Sequence, residues 1–348
     1  MTRRTGVLGL LIVGSLVVSL AVSGRAWAAA PAFSITTSPI SLDLNIKPGT
    51  NTSATVQLMN NNPTPVAVAV QLDTFSANGS NGQAALQALP IGSPILGWVH
   101  FSQTSFAAQP GVWTAIKVTF NIPKSASLGY YFALLFKPVI PTISTPHTTI
   151  LKGSNAVLVL IDTRSANEQR LVQVASFGTT KGLYEYLPVT FNVTIRNSGN
   201  IFLAPAGDIF ISKSSNFTKP INTLNVNAAG GNILPDSVRI FQINWTNGFP
   251  VYQPKTIAGQ PVTKNGVIVQ QLHWDFTQLA NFRIGKYYAH LALVYNNGTQ
   301  DIPIDSVISF WVIPWKLLIG LLIIVLLVLF GLFAVGRTIY KSIERIRR

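Results

Sequence analysis

Apolar and polar positions alternate along most of this chain. Val66, Val68, Val70 and Leu72 are separated by Ala67, Ala69 and Gln71. Val189, Phe191, Val193 and Ile195 are separated by Thr190, Asn192 and Thr194, and Tyr287, Ala289, Leu291, Leu293 and Tyr295 form a third such set. A period of two with one apolar face predicts half-buried antiparallel strands. Turn-forming residues fall between the runs: Lys47-Pro48-Gly49, Asn60-Asn61-Asn62-Pro63, Gln109-Pro110-Gly111, Asn197-Ser198-Gly199-Asn200 and Asn296-Asn297-Gly298. Many short strands punctuated in this way predict an all-β fold built of sandwiches. The alternation stops at Leu317–Val335, nineteen residues without a charge. As a helix this run spans roughly the 30 Å hydrocarbon core of a bilayer.

The strand runs form two similar sets. Gly129-Tyr130-Tyr131-Phe132-Ala133-Leu134-Leu135 begins a late strand in the first, and Gly285-Lys286-Tyr287-Tyr288-Ala289-His290-Leu291 begins one in the second. An alternating strand precedes each, at Val112–Phe120 and at Val238–Trp245, and each set has an early strand ending in an Asn-rich turn, at Asn60 and Asn197. The expected organisation is a signal peptide (1–28), two immunoglobulin-like β-sandwich domains in tandem (29–165 and 166–313), one C-terminal transmembrane helix (314–336) and a basic tail (337–348). The boundary falls near Thr163–Arg170, where the apolar pattern breaks. Ser76–Pro94 and Asn247–Gly266 read as long loops or flaps, and Pro138–Pro146 as an extended connection. In Val238–Trp245 the apolar phase switches after Ile240, which predicts a bulge, with Trp245 in the core. The last strand runs almost directly into the span, so the second domain is expected close to the bilayer, with no flexible stalk.

Charge sharpens this picture. The chain carries 25 basic and 11 acidic residues, a formal charge of +14. Arg3, Arg4 and Arg25 belong to the N-terminal segment, and six basic residues lie from Lys316 onward. The middle is left with 16 basic residues against ten acidic ones, scattered without a run. Nucleic-acid binding needs a concentrated basic stripe, and none is visible. Arg3-Arg4, an apolar run over Val7–Val22 and Ala26-Trp27-Ala28 read as a secretory signal with its cleavage site. Cleavage places the sandwiches outside and the basic tail inside, in keeping with the positive-inside rule. Trp311, Trp315 and Lys316 before the span, and Arg337, Lys341, Arg345 and Arg348 after it, are the expected membrane-interface residues. The chain has no cysteine, so apolar cores, not disulfides, must hold the exported part together. Six N-x-S/T sites, at Asn51, Asn78, Asn192, Asn216, Asn244 and Asn297, matter only in a cell that N-glycosylates.

Residues that carry chemistry are sparse. The four histidines form no zinc pattern, and the nearest approach to a cluster is His273-Trp274-Asp275. His290 falls on a polar strand face. Asp301 and Asp305 follow a turn without an EF-hand pattern. No nucleophile elbow, P-loop or dinucleotide fingerprint is present. Leu187-Pro188-Val189-Thr190 begins like a sortase signal but continues with Phe191 inside an alternating strand, and reads as core. The chain is expected to be non-enzymatic, without cofactor or metal. Trp113 is the better functional candidate. It shares a strand face with Lys117 and Thr119, away from Ile116, Val118 and Phe120, and a tryptophan there suits a sugar ring or a partner protein. Covering of Trp113 by the Ser76–Pro94 segment is the simpler expectation.

The layout resembles the WxL-interacting surface proteins of Gram-positive bacteria. The residues that carry this are Val56-Gln57-Leu58-Met59-Asn60-Asn61, Gly129-Tyr130-Tyr131 and the Lys316–Arg348 anchor. The resemblance implies that the first domain binds cell-wall polymer and the second a partner surface protein. The first domain also looks like pilus-chaperone sandwiches, although Phe33–Ile46 lacks the basic residue that anchors their subunits. The expected function is a membrane-anchored cell-surface protein that binds envelope polymer or a partner surface protein. The alternative is a membrane-tethered chaperone or assembly factor for secreted subunits. The expected partners are the lipid bilayer, cell-wall polymer or another surface protein, and not nucleic acid.

Overall fold

A computed structural model describes residues 33–139 and 154–347, with side chains as far as Ile339. The expected signal peptide and most of Pro138–Pro146 lie outside these residues. The rest forms two β-sandwiches and one long helix.

In the first sandwich one sheet orders β1 (Ile35–Ser38), β3 (Asn51–Asn60), β8 (Trp113–Asn121) and β6 (Val99–Phe101). The facing sheet orders β2 (Ser41–Asn45), β10 (Asn155–Asp162), β9 (Gly129–Pro138), β4 (Val66–Asn78) and β5 (Gln83–Ala88). A further strand, β7 (Ser105–Ala108), also pairs with β4. Val56, Leu58, Ile116, Val118 and Phe120 of the first sheet pack on Phe132, Leu134, Phe136, Val157 and Val159 of the second. The predicted alternation is thus realised as two inward faces closing one dry layer.

The second sandwich repeats this topology. Its sheets are β11 (Val172–Thr179), β13 (Val189–Asn197) and β16 (Val238–Trp245), facing β12 (Leu183–Tyr184), β24 (Asp301–Val312), β23 (Gly285–Asn296), β14 (Ala206–Ser212) and β15 (Asn222–Val226). In both sandwiches the second strand joins the last strand in parallel, β2 on β10 and β12 on β24. Trp245 is fully buried against Tyr287 and Phe310. The bulge expected after Ile240 is not there. β13 and β16 keep one unbroken register from Val189↔Trp245 to Arg196↔Val238, and Ile240 simply faces outward. The irregularity sits instead in β11, between Val174 and Ser176. The chain between β16 and β23 forms an insertion longer than the Asn247–Gly266 loop expected. β17 (Val251–Pro254) pairs with β22 (Gln270–His273), and two small hairpins lie between them, β18 (Thr256–Ile257) with β19 (Gln260–Pro261) and β20 (Thr263–Lys264) with β21 (Val267–Ile268).

Both early strands end in the same buried clasp. Asn60 and Asn197 are fully buried. The Asn60 amide donates to the carbonyls of Thr64 and Ala108, and its oxygen accepts from the Asn62 backbone. The Asn197 amide donates to Ile201 and Ile233, and its oxygen accepts from the Gly199 backbone. Each side chain satisfies backbone groups that a turn folded into the core would otherwise leave unpaired.

α1 (Trp315–Arg347) follows β24 after only Ile313 and Pro314. The stretch Trp315–Ile339 is long and apolar enough to cross a membrane, and its apolar residues are not buried in the rest of the protein.

Replacing a clasp should unfold its own sandwich first. Asn197→Ala leaves the Ile201 carbonyl and the Gly199 amide without this partner and removes one of two donors from the Ile233 carbonyl, and should cost about 1–3 kcal/mol. Asn60→Ala should do the same for the first sandwich, whereas Asn61→Ala, at an exposed neighbour, should stay within about 0.5 kcal/mol. Pulse proteolysis of the full chain in detergent and urea checks all three.

Candidate functional site

The outward face of one sheet of the first sandwich is apolar. Val157-Leu158-Val159-Leu160-Ile161 in β10 and Phe132–Phe136 in β9 are continuous apolar runs, because each strand is covered on both sides. The inner side is the core, and the outer side meets the second sandwich. Phe75, Ala133 and Leu160 are buried there, with Tyr131 and Leu158 beside them, against Phe202 and Leu234. Tyr131 stands edge-on to Phe75 and Phe202, and its hydroxyl accepts a hydrogen bond from the Phe202 amide at 3.2 Å. Burial in this contact pushes the phenol well above its ordinary pKa, so it stays protonated.

The linker between the sandwiches is pinned at both ends. The Thr163 amide and hydroxyl donate to the Leu128 carbonyl on the first sandwich. On the second, the Asn200 side chain accepts from the Gln169 amide and donates to the Asn167 carbonyl. Gly199 is required here, since a Cβ would collide with the Gln169 carbonyl. Arg170 donates to both Asp162, at the end of β10, and Glu168. Burial, then the hydrogen bond and charge of Asp162, push the Glu168 carboxyl up, against the opposing pull of Arg170. One Glu168 oxygen, Oε1, is buried without a partner among the described residues.

Beside this joint the two sandwiches leave a cleft of about 300 Å³. Phe75, Ala84, Leu158 and Leu160 form its floor, and Ile233, Leu234 and Val238 close it from the second sandwich. The β4–β5 hairpin makes one wall, clamped where the Ile240 amide donates to the Ser80 carbonyl at 2.7 Å. A further bond runs from Asn232 to Asp43 at 2.8 Å. Arg239 stands in the wall. Its guanidinium donates to the Asn232 carbonyl at 3.0 Å and lies over the Phe241 ring. Side chains at Gly82 or Gly231 would occupy its space. Among the described residues no carboxylate pairs with it, and burial lowers its pKa. The cleft therefore joins an apolar floor to a cation whose charge is uncompensated, which suits an apolar segment bearing an acidic group.

No family model matches the chain, and no curated protein matches it. The resemblance to WxL-interacting proteins therefore gains no support. Among solved structures, the chain is similar to the Class 5 fimbriae chaperone CfaA, with 16% identity over 79% of this chain and 98% of that one, at a TM-score of 0.36. It is also similar to the E. coli chaperone DraB, with 12% identity over 80% and 98%, at 0.32. The Pseudomonas aeruginosa CupB2 chaperone follows, with 8% over 78% and 98%, at 0.30. At such identities and scores the likeness carries no function across. The immunoglobulin-like sandwich assignment stands on the strand pairings themselves.

The residues singled out from sequence lie elsewhere. Trp113 and Lys117 share the outer face of β8, and Trp113 is 45% exposed. The Ser76–Pro94 segment does not cover it, because that segment forms the β4–β5 hairpin that reaches toward the second sandwich. His290 pairs with Asp305 at 3.0 Å on an outer face, and Asp275 caps the turn at Phe276–Asn281. Trp311 and Trp315 are exposed at the start of α1. Lys316 pairs with Glu185 at 2.7 Å, which ties the helix to the second sandwich. Arg337 is exposed, and Lys341 and Arg345 continue the helix. The side chains of those two, and all of Arg348, lie outside the described residues. The cleft residues were not singled out, although the unbroken apolar runs in β9 and β10 are the sequence signal of a doubly covered sheet.

The joint gives a signed pH dependence. Between the ordinary carboxyl value of 4.5 and the raised native one, the folded protein holds more protons than the unfolded chain. The Glu168 contribution to stability therefore falls as pH rises through that window. Urea midpoints of Glu168→Gln, compared with the unaltered protein from acid to neutral pH, should show the difference moving in the variant's favour.

Proposed function

We propose that the protein is a non-catalytic, membrane-anchored surface protein that holds an extended segment of a partner protein in the interdomain cleft. In this reading α1 is the anchor, the sandwiches lie outside the cell and the basic tail lies inside, an orientation that the charge distribution favours. The carrying observation is the apolar floor of Phe75, Leu158 and Leu160 beside the uncompensated Arg239. A segment with an acidic side chain or terminus supplies what Arg239 lacks, and the guanidinium fork favours a carboxylate.

One observation favours the second reading, a tethered assembly factor for secreted subunits. Among the described residues β2 is the outermost strand of its sheet and has no strand on its other edge, and Ile40 beside it is 78% exposed at the mouth of the cleft. A subunit segment could add there as a strand. Trp113 and Lys117, on the far sheet, offer a separate face for envelope polymer.

A photo-crosslinker at Gln83, in the cleft wall, tests the main reading on intact cells. A discrete partner should be captured, and Arg239→Glu should abolish capture under conditions where circular dichroism shows the variant still folded. Capture that is indifferent to Arg239→Glu would sink the carboxylate pairing. Capture of only newly secreted, unassembled subunits selects the assembly-factor reading. Purified cell wall tests the remaining face: Trp113→Ala should reduce retention severalfold, and unchanged retention removes Trp113 from any binding role.

A further inference from the structure

The insertion between β16 and β23 starts and ends where α1 begins. β16 reaches that end of the sandwich at Trp245, and β23 leaves it at Gly285, whose ladder partner is Val312. Only Ile313 and Pro314 then separate Val312 from the helix. The last part of the insertion is unusually apolar for an uncovered surface. Trp274, Phe276, Leu279, Phe282 and Ile284 are 45%, 71%, 59%, 38% and 38% exposed. They are held in place, not loose. Trp274 and Phe276 stack on each other at 6.3 Å, each also meets the buried Phe249, edge-on at 5.6 Å and tilted at 5.5 Å, and Phe249 donates through its amide to the Asn281 carbonyl. Glu185 accepts from both Lys316 of α1 and Tyr252 of the insertion, at 2.7 and 3.2 Å, so the insertion is fastened to the first turn of the helix.

A contiguous exposed apolar patch marks a surface that is covered in use. Two features say by what. The patch is continuous with the membrane-crossing helix, reached within a few residues at Trp311 and Trp315, which are themselves exposed. The residues 246–284 also carry Lys255, Lys264 and Arg283 against Asp275 alone, which suits an anionic lipid surface. Aromatic side chains with an apolar body and a polar edge prefer the headgroup layer.

We propose that Trp274, Phe276, Leu279, Phe282 and Ile284 form a membrane-docking face that sits in the headgroup layer beside α1. The second sandwich then stands on the bilayer at two points, the helix and this face, and cannot swing about the helix. This rests on α1 crossing the bilayer.

The chain has no cysteine, so single cysteines can be labelled cleanly. Full-length Phe276→Cys, Leu279→Cys, Leu322→Cys and Gln57→Cys are each labelled with an environment-sensitive dye and reconstituted in phosphatidylcholine–phosphatidylglycerol vesicles. Dyes at 276 and 279 should shift to the blue and lose emission to lipids with a nitroxide near the headgroup, since an interfacial face sits about 5–10 Å into the headgroup and acyl boundary. A dye at 322 should be quenched by a mid-chain nitroxide, and one at 57 by neither. Quenching at 322 with none at 276 and 279 overturns the docking face and leaves the anchor standing. No quenching at 322 overturns the anchor, and the docking face with it. A blue shift at 276 and 279 without lipid quenching means that a protein or a second copy covers the patch, and also overturns it.

Discussion

Arg170 lies between Asp162 and Glu168 where one sandwich ends and the next begins, and the rest of the arrangement depends on that contact. A buried cation with two carboxylates is costly to separate, because removing one partner strands charge in a poor dielectric, typically at about 3–5 kcal/mol. Thr163 on one side and the Gln169–Asn200 bond on the other pin the two ends of the linker. Beside it Tyr131, Phe75 and Leu160 pack on Phe202 and Leu234, and the space that remains next to this contact is the cleft.

The same constraint continues toward the helix. β24 passes into α1 through two residues, and Glu185 binds both Lys316 and Tyr252. From the apolar span to the cleft, each junction is hydrogen-bonded or packed. Arg239 owes its condition to this rigidity. The β4–β5 hairpin of the first sandwich is clamped against β16 of the second, so the guanidinium is half-buried with, among the described residues, one carbonyl for a partner and no carboxylate. A flexible joint would let it hydrate.

The tandem repeat carries one topology with two different additions. Strand order, the parallel pairing of the second strand with the last, and the Asn60 and Asn197 clasps are common to both sandwiches. The additions differ in place. The first sandwich extends its β4–β5 hairpin toward its neighbour and so builds a cleft wall. The second opens between β16 and β23, at the end where α1 leaves, and so builds the aromatic surface around Trp274 and Phe276.

The sequence by itself determined what depends on short-range periodicity and on residue type. A period of two along Val189–Ile195 or Tyr287–Tyr295 has one stable outcome, a strand with one face buried. Asn-rich turns at Asn60 and Asn197 locate strand ends, and nineteen uncharged, mostly apolar residues predict a helix long enough to cross a membrane. Tertiary structure alone decided which outer faces are covered. Trp113 and Tyr131 are both aromatic residues on strands, yet one is exposed and the other is locked under Phe202, seventy-one residues away. The phase change at Ile240 looked like a bulge but is a regular strand whose backbone edge meets the first sandwich at Ser80. Burial of an outer face, and with it the uncompensated charge of Arg239, is set by segments far apart in the chain. No local pattern reports that distance.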